Sequence, residues 1–238
     1  MKKLAIISVI VPFLIVFQSS CSMVCKKGRG KVVTEIRKIT AFDELEINGQ
    51  ASVFIIAGIE PSIEVSIDSN LLEYIKTEVS GNKLKVYESR CIKEIADYKI
   101  YITVDNLSKL KIKGATKMSC DSMLQVDNIL IETENSGDLS LNFDADKIDL
   151  LTKGSGSLNL NGRAANIKIE LKGAGSISAF GLYAKNVDFD ISGAGTCEIS
   201  VSEKLTGEVS GSGKFYYKGN PKKVQTNNTG TGIIQTKL

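Results

Sequence analysis

Carboxylates are the first side chains to consider for catalysis, because none of the 238 residues is a histidine. Without histidine the commonest general base is gone, and with it every Ser-His or Cys-His nucleophile arrangement. Asp144, Asp146 and Asp149 lie close together in the chain, and Asp188 and Asp190 flank Phe189. Two carboxylates facing each other about 5 to 9 Å apart could cleave a glycosidic bond. Here, however, charged positions alternate with apolar ones, which is the ordinary pattern of a sheet with one wet face. Asp138 starts no acidic ladder, since its equivalents one period apart are Ser157, Ser176, Thr196 and Lys214. The lack of histidine and of any Cys-x-x-Cys pair argues against zinc. No catalytic, cofactor-binding or metal-binding residue is assigned, and the reading is non-enzymatic.

Binding chemistry gives two further patterns. Gly211-Ser212-Gly213-Lys214 looks like part of a nucleotide loop, but Glu208 stands where a P-loop has its first glycine and Phe215 replaces the required Ser or Thr. Tyr98, Tyr101, Tyr183 and Tyr216 could stack on sugar rings, although they share no repeat column. Five cysteines are present. Cys197 falls in an apolar column and reads as a small buried hydrophobe. The pairing of Cys25, Cys91, Cys120 and Cys197 is left open by their spacing.

The elements that would position any such site repeat. A Gly-x-Gly motif has its second glycine at Gly137, Gly156, Gly175, Gly195, Gly213 and Gly232, in steps of 19, 19, 20, 18 and 19 residues. Its first glycine falls at Gly154, Gly173, Gly193, Gly211 and Gly230. A period of this size marks a solenoid. Apolar residues share it: one column reads Leu110, Ile129, Ile148, Ile167, Val187, Leu205, Val224, and another Leu139, Leu158, Ile177, Cys197, Phe215, Ile233. Within one repeat Ile167, Ile169 and Leu171 alternate with Lys168, Glu170 and Lys172, and Gly173-Ala174-Gly175 then turns the chain into a second alternating run. That is strand, corner, strand, with segments too short for helices. The glycines serve corners that need positive φ or close backbone approach. The small residues between them, Ser155, Ala174, Ala194, Ser212 and Thr231, are read as an adaptation to tightly stacked corners.

One coil cannot bury enough apolar surface to offset its own backbone entropy, so neighbours must stack. The expected fold is all-β: a single-stranded parallel β-helix with coils of about 19 residues, wound right-handed as parallel connections are. Residues 36–105 are less regular and form an irregular β-rich N-terminal cap to the regular coils of 106–238. Gly81-Asn82 reads as a hairpin turn and 70–76 as one helical turn. Few residues follow Gly232, so the last coil is expected to present an open edge suited to homo-oligomer formation, with Ile233 the residue to test.

The N-terminus carries an export pattern. Lys2 and Lys3 precede an apolar run from Leu4 to Phe17, and Gln18-Ser19-Ser20 leads to Cys21. The run is short for a membrane span and contains Pro12, so cleavage of residues 1–20 and acylation of Cys21 are expected. Cys25 is the rival acceptor, disfavoured by Val24 before it. Residues 21–35 read as the lipidated cysteine and a flexible tether, whose basic stretch could lie on anionic headgroups. Loss of Lys2 and Lys3 lowers the formal charge from +3 to +1, which gives nothing to attract nucleic acid. The expected location is the outer membrane, facing the periplasm, with the membrane engaged through acylated Cys21.

The run from Leu45 to Ile55, the successive Gly-x-Gly corners and the ending from Gly211 to Val224 resemble the putative auto-transporter adhesin head GIN domain family. The resemblance spans about residues 36–238 and implies a cell-envelope protein, often a lipoprotein, with a β-helix fold. It supplies no functional residues. The leading expectation is therefore a non-enzymatic adhesin-like or scaffold module that recognises glycan or an envelope protein through an extended polar face. Two alternatives stand beside it: a carbohydrate-active enzyme using surface carboxylates, and an envelope assembly or stress component acting through its solenoid end.

Overall fold

The computed structural model describes residues 25–237. They form an all-β solenoid of about 7 turns with coils of roughly 19 residues. In the regular part each strand pairs in parallel with its equivalent one repeat away: Asp138–Thr152 with Ser157–Leu171, the latter with Ser176–Ile191, and that with Thr196–Val209. Ile148, Ile167, Val187 and Leu205 are in direct register and buried. Leu158, Ile177, Cys197 and Phe215 form a second buried row. Phe189 and Phe215 stack with ring centroids 3.7 Å apart. The core is thus a pile of like side chains, and each turn is stabilised by its neighbours.

The two columns need correction at their ends. Leu110 pairs with Ile131, not Ile129. A slip of two residues keeps the same face inward, so the alternating pattern could not detect it. Ile234, rather than Ile233, pairs with Phe215. Ile233 pairs with Lys214, faces outward and is 42% exposed.

The corner glycines act through close approach alone. None of the paired corner glycines has a positive φ. A methyl group built on Gly173 would run into the carbonyl oxygen of Gly154, one on Gly193 into that of Gly173, and one on Gly211 into that of Gly193. Successive corners stack backbone on backbone, leaving no room for a Cβ. The residues between the glycines, such as Ala174, Ala194 and Ser212, point into solvent, so crowding is not what keeps them small.

The N-terminal third departs from chain order. Glu44–Gly49 and Ser52–Ala57 make a coil in the same register as the later ones, with Leu45 opposite Leu110 and Val53 opposite Met118. On its other side lies the coil built from Lys83–Glu88 and Lys99–Val104, which comes later in the sequence. An early coil is therefore inserted between two later ones. The outer edge of the Lys83–Val104 coil is closed by antiparallel strands: Ile75–Ser80 against Lys83–Glu88 through the Gly81 turn, and Ser62–Asp68 against Lys99–Val104. Leu72–Tyr74 is a single 3-10 turn. At the opposite end Lys223–Asn228 and Ile233–Thr236 pair on one side only among the described residues.

The flexible tether expected over 21–35 is docked from Cys25 onward. Cys25 is disulfide-bonded to Cys91, and Lys26–Lys27 pairs in parallel with Ile92–Lys93. The Arg29 amide donates to Asn70 Oδ1 at 2.8 Å, and Asn70 Nδ2 donates to the Lys27 carbonyl at 2.8 Å. Val32–Lys38 then pairs antiparallel with Ser62–Asp68. Polarity misled the sequence reading: lysine side chains stay in water while their backbone completes an edge. Residues 1–20 and Cys21 lie outside the described residues.

Candidate functional site

Part of the strand faces neutralises its own charge. Lys111 stands in register with Glu46 on one side and Glu132 on the other, and Lys109 and Lys111 both reach Glu132, at 3.5 and 3.2 Å. Lys113 and Lys153 bracket Glu134, and Glu170 accepts from Lys168 and Lys172. Such faces are satisfied within the solenoid.

The other corner of each turn, away from the paired glycines, is different. The 20-residue step between Gly175 and Gly195 sits beside the 18-residue step between Gly195 and Gly213. An over-long turn against a short one cannot stay in register. Asn159 pairs with Ser178 but Asn161 pairs with Gly181, and Ala179 pairs with Ile199 whereas Tyr183 pairs with Ser200. Phe180, Gly181 and Leu182 are left without partners on Thr196–Val209 and form a bulge, with Leu182 kept in the core. The Ser200 hydroxyl donates to the Phe180 carbonyl at 2.8 Å and holds the bulge.

This bulge walls a groove of about 910 Å³. Its floor is the buried column Ala145, Ala164, Ala184 and Val201. Phe180 and Tyr183 rise beside it, and the Tyr183 ring is 69% exposed. The groove crosses the strands from Asp138–Thr152 to Lys214–Lys218 along the solenoid axis. At about 4.8 Å per strand its length is about 20 Å.

Charge is graded along the groove. Asp144 and Asp146 lie at one end, where a neighbouring concavity adds Asp127 and Gln125. Lys185 stands on the middle strand of the groove, Ser176–Ile191, and Lys218 on the last, Lys214–Lys218; past the same corner Lys204 and Lys223 stack in register. Arg163 is ion-paired with Asp144, and the Lys218 ammonium lies 4.6 Å from the Phe180 ring centroid. Among the described residues Lys185 and Asp146 have no ion pair.

The residues singled out from sequence distribute as follows. Asp149 is bound to Lys147 at 2.7 Å, and Asp138 accepts from the Ser157 hydroxyl. Asp188 and Asp190 sit on the outer strand face, with Asp190 beside Glu208. Tyr98 is buried, Tyr101 stacks on Phe54, and Tyr216 is covered by Lys237. Of the four tyrosines only Tyr183 lines the groove. Cys120 and Cys197 are free but buried; burial pushes the Cys120 thiol up to about 11 and raises Cys197 further, so neither is a ready nucleophile. Among the described residues no group of three or more His, Cys, Asp or Glu side chains could hold a metal. Phe180, Lys185 and Lys218 escaped the sequence reading. The consecutive 20- and 18-residue steps were the signal that marks them.

The class defined by this architecture is a parallel β-solenoid with a lateral groove. Residues 41–221 match the family described as "Putative auto-transporter adhesin, head GIN domain", and the chain belongs to it. No curated protein matches the chain. Several crystal structures share the fold, among them three that each cover 89% of this chain. A putative adhesin from Bacteroides fragilis NCTC 9343 has a TM-score of 0.85 at 23% identity over 99% of its own length. A putative lipid binding protein from Parabacteroides distasonis ATCC 8503 has 0.73 at 23% over 99%, and a putative adhesin from Parabacteroides merdae ATCC 43184 has 0.63 at 22% over 98%.

Proposed function

We propose that this chain is a non-enzymatic, adhesin-like recognition protein of the bacterial envelope, anchored by an acylated Cys21 and binding glycan in the lateral groove. The observation that carries the reading is the groove itself. It combines an apolar floor, an exposed aromatic ring and a few polar groups, the make-up of a ligand site. The same groove argues against the carbohydrate-active alternative: of its two carboxylates Asp144 is paired with Arg163, which leaves Asp146 alone where glycoside cleavage calls for two cooperating acids. Membership in an adhesin family agrees with recognition rather than turnover.

Anchoring at Cys21 rests on the export pattern of residues 2–21. It gains support from the disulfide, since the rival acceptor Cys25 has its sulfur bonded to Cys91. Growth with an alkynyl palmitate tests it: label is expected on the full chain and absent from Cys21→Ala. Label retained in Cys21→Ala defeats the anchor assignment. A glycan array probed with the full chain in detergent tests recognition, and no binding to any saccharide defeats it.

A further inference from the structure

We infer that the groove selects acidic oligosaccharides, with Lys185 and Lys218 receiving the ligand's carboxylate or sulfate groups. This rests on the recognition reading above and adds the ligand's chemical class.

The floor fixes what kind of contact the middle of the groove can make. Ala145, Ala164, Ala184 and Val201 are small and nearly buried, so they give the groove depth and a floor without side-chain hydrogen-bonding groups. A ligand lying there therefore makes its main contacts with the walls and rims. Tyr183 and Phe180 supply an aromatic wall, and the C–H face of a pyranose ring packs well on a π face. A groove about 20 Å long suits a linear ligand.

Charge then decides among sugars. Arg163 is held by Asp144, so it offers little to an anion. Lys185 has no ion pair among the described residues, and Lys218 is steadied over the Phe180 ring. Lys204 and Lys223 stand one behind the other past the same corner. An anionic group would thus meet two donors inside the groove, with more positive charge just beyond it. At the other end Asp146 can accept hydrogen bonds from sugar hydroxyls, as an ionised carboxylate is acceptor only. The polarity also fixes direction, with the ligand's acidic unit between the middle and last strands, away from Asp144 and Asp146 on the first.

The test uses the full chain in detergent with two probes of one backbone, a neutral oligosaccharide that ends in a single uronic acid and its methyl ester. Binding of the acidic probe is expected to exceed that of the ester by about tenfold or more, and to weaken with added salt. Lys185→Gln and Lys218→Gln should each weaken it by about tenfold, and Tyr183→Ala should weaken both probes. All three side chains are at least partly exposed, so the melting temperature should not move and serves as the folding control. Equal binding of the ester overturns the acidic class while leaving glycan recognition standing. Undiminished binding by the lysine variants overturns the site. Binding to an immobilised matrix protein, with none to either probe or to any arrayed saccharide, overturns both the inference and the reading beneath it.

Discussion

The side-chain amide of Asn135 bonds to both backbone groups of Thr116 one coil away: Oδ1 accepts from the Thr116 amide at 2.9 Å, and Nδ2 donates to its carbonyl at 2.8 Å. Asn135 stands where later coils have the first glycine of the pair, followed by Ser136 and Gly137. Both Asn135 and Thr116 are buried. The amide stitches an irregular coil to the regular stack where backbone stacking alone leaves groups unpaired.

Asn135→Ala should therefore destabilise by about 1 to 3 kcal/mol, because it strands a buried amide and carbonyl. Urea unfolding followed by far-ultraviolet circular dichroism measures it. A midpoint equal to that of the native chain would show that Thr116 finds other partners.

The corner and hairpin glycines should respond differently to alanine. At Gly193 the new methyl meets the Gly173 carbonyl, which is itself fixed by the coil beneath, so a loss of about 1 to 3 kcal/mol or more is expected. At Gly81, φ is +61° and the space is open, so only the left-handed conformation is penalised, by about 1 to 2 kcal/mol. Comparing Gly193→Ala with Gly81→Ala separates steric from conformational cost, with Gly193→Ala expected to melt at the lower temperature.

Loss of the Cys25–Cys91 disulfide, which joins residues 66 apart, should lower stability by about 4 kcal/mol in the chain-entropy account. Cys25→Ser and truncation before residue 36 should both loosen the cap, seen as faster hydrogen exchange in Lys83–Glu88 and Lys99–Val104. Cys120 and Cys197 should resist iodoacetamide at pH 8 until denaturant is added, since burial raises both thiols and keeps them protonated.

The Lys168 and Lys172 hydrogen bonds hold Glu170 below the ordinary carboxylate value of 4.5. A depressed folded-state pKa contributes stability that is present above the unfolded value and is lost as pH falls through the folded one. Glu170→Gln should thus lower the melting temperature slightly at pH 7, by an amount worth less than ~1 kcal/mol for so exposed a pair. At a pH low enough to protonate Glu170 in the folded chain the two proteins should melt together. A difference that persists at low pH would place the effect in packing rather than charge.

Much of the regular stack was legible because the information is local and repeated. Strand alternation, the glycine corners and the rows through Ile148, Ile167 and Val187 each appear several times, so one misread repeat is corrected by the next. The misplacements fall where that redundancy ends, at Leu110 and Ile233. Leu110 slipped by an even step that leaves the buried face unchanged. Ile233 lies on the last coil, with no further repeat to fix its register.

The sequence by itself determined a β-solenoid, its period and its inward rows, because hydrophobic alternation and glycine spacing act within a single turn and recur in the next. Only the tertiary structure decided that the coil at 44–57 slides between coils formed by residues 83–104 and 109–119, that Cys25 meets Cys91, and that Phe180, Tyr183, Lys185 and Lys218 converge on one groove. Those outcomes depend on pairings between distant segments, and a parallel strand can satisfy its backbone equally well against any coil of matching shape. The physical choice among them is made by how the whole stack closes its ends and absorbs one residue too many beside one too few.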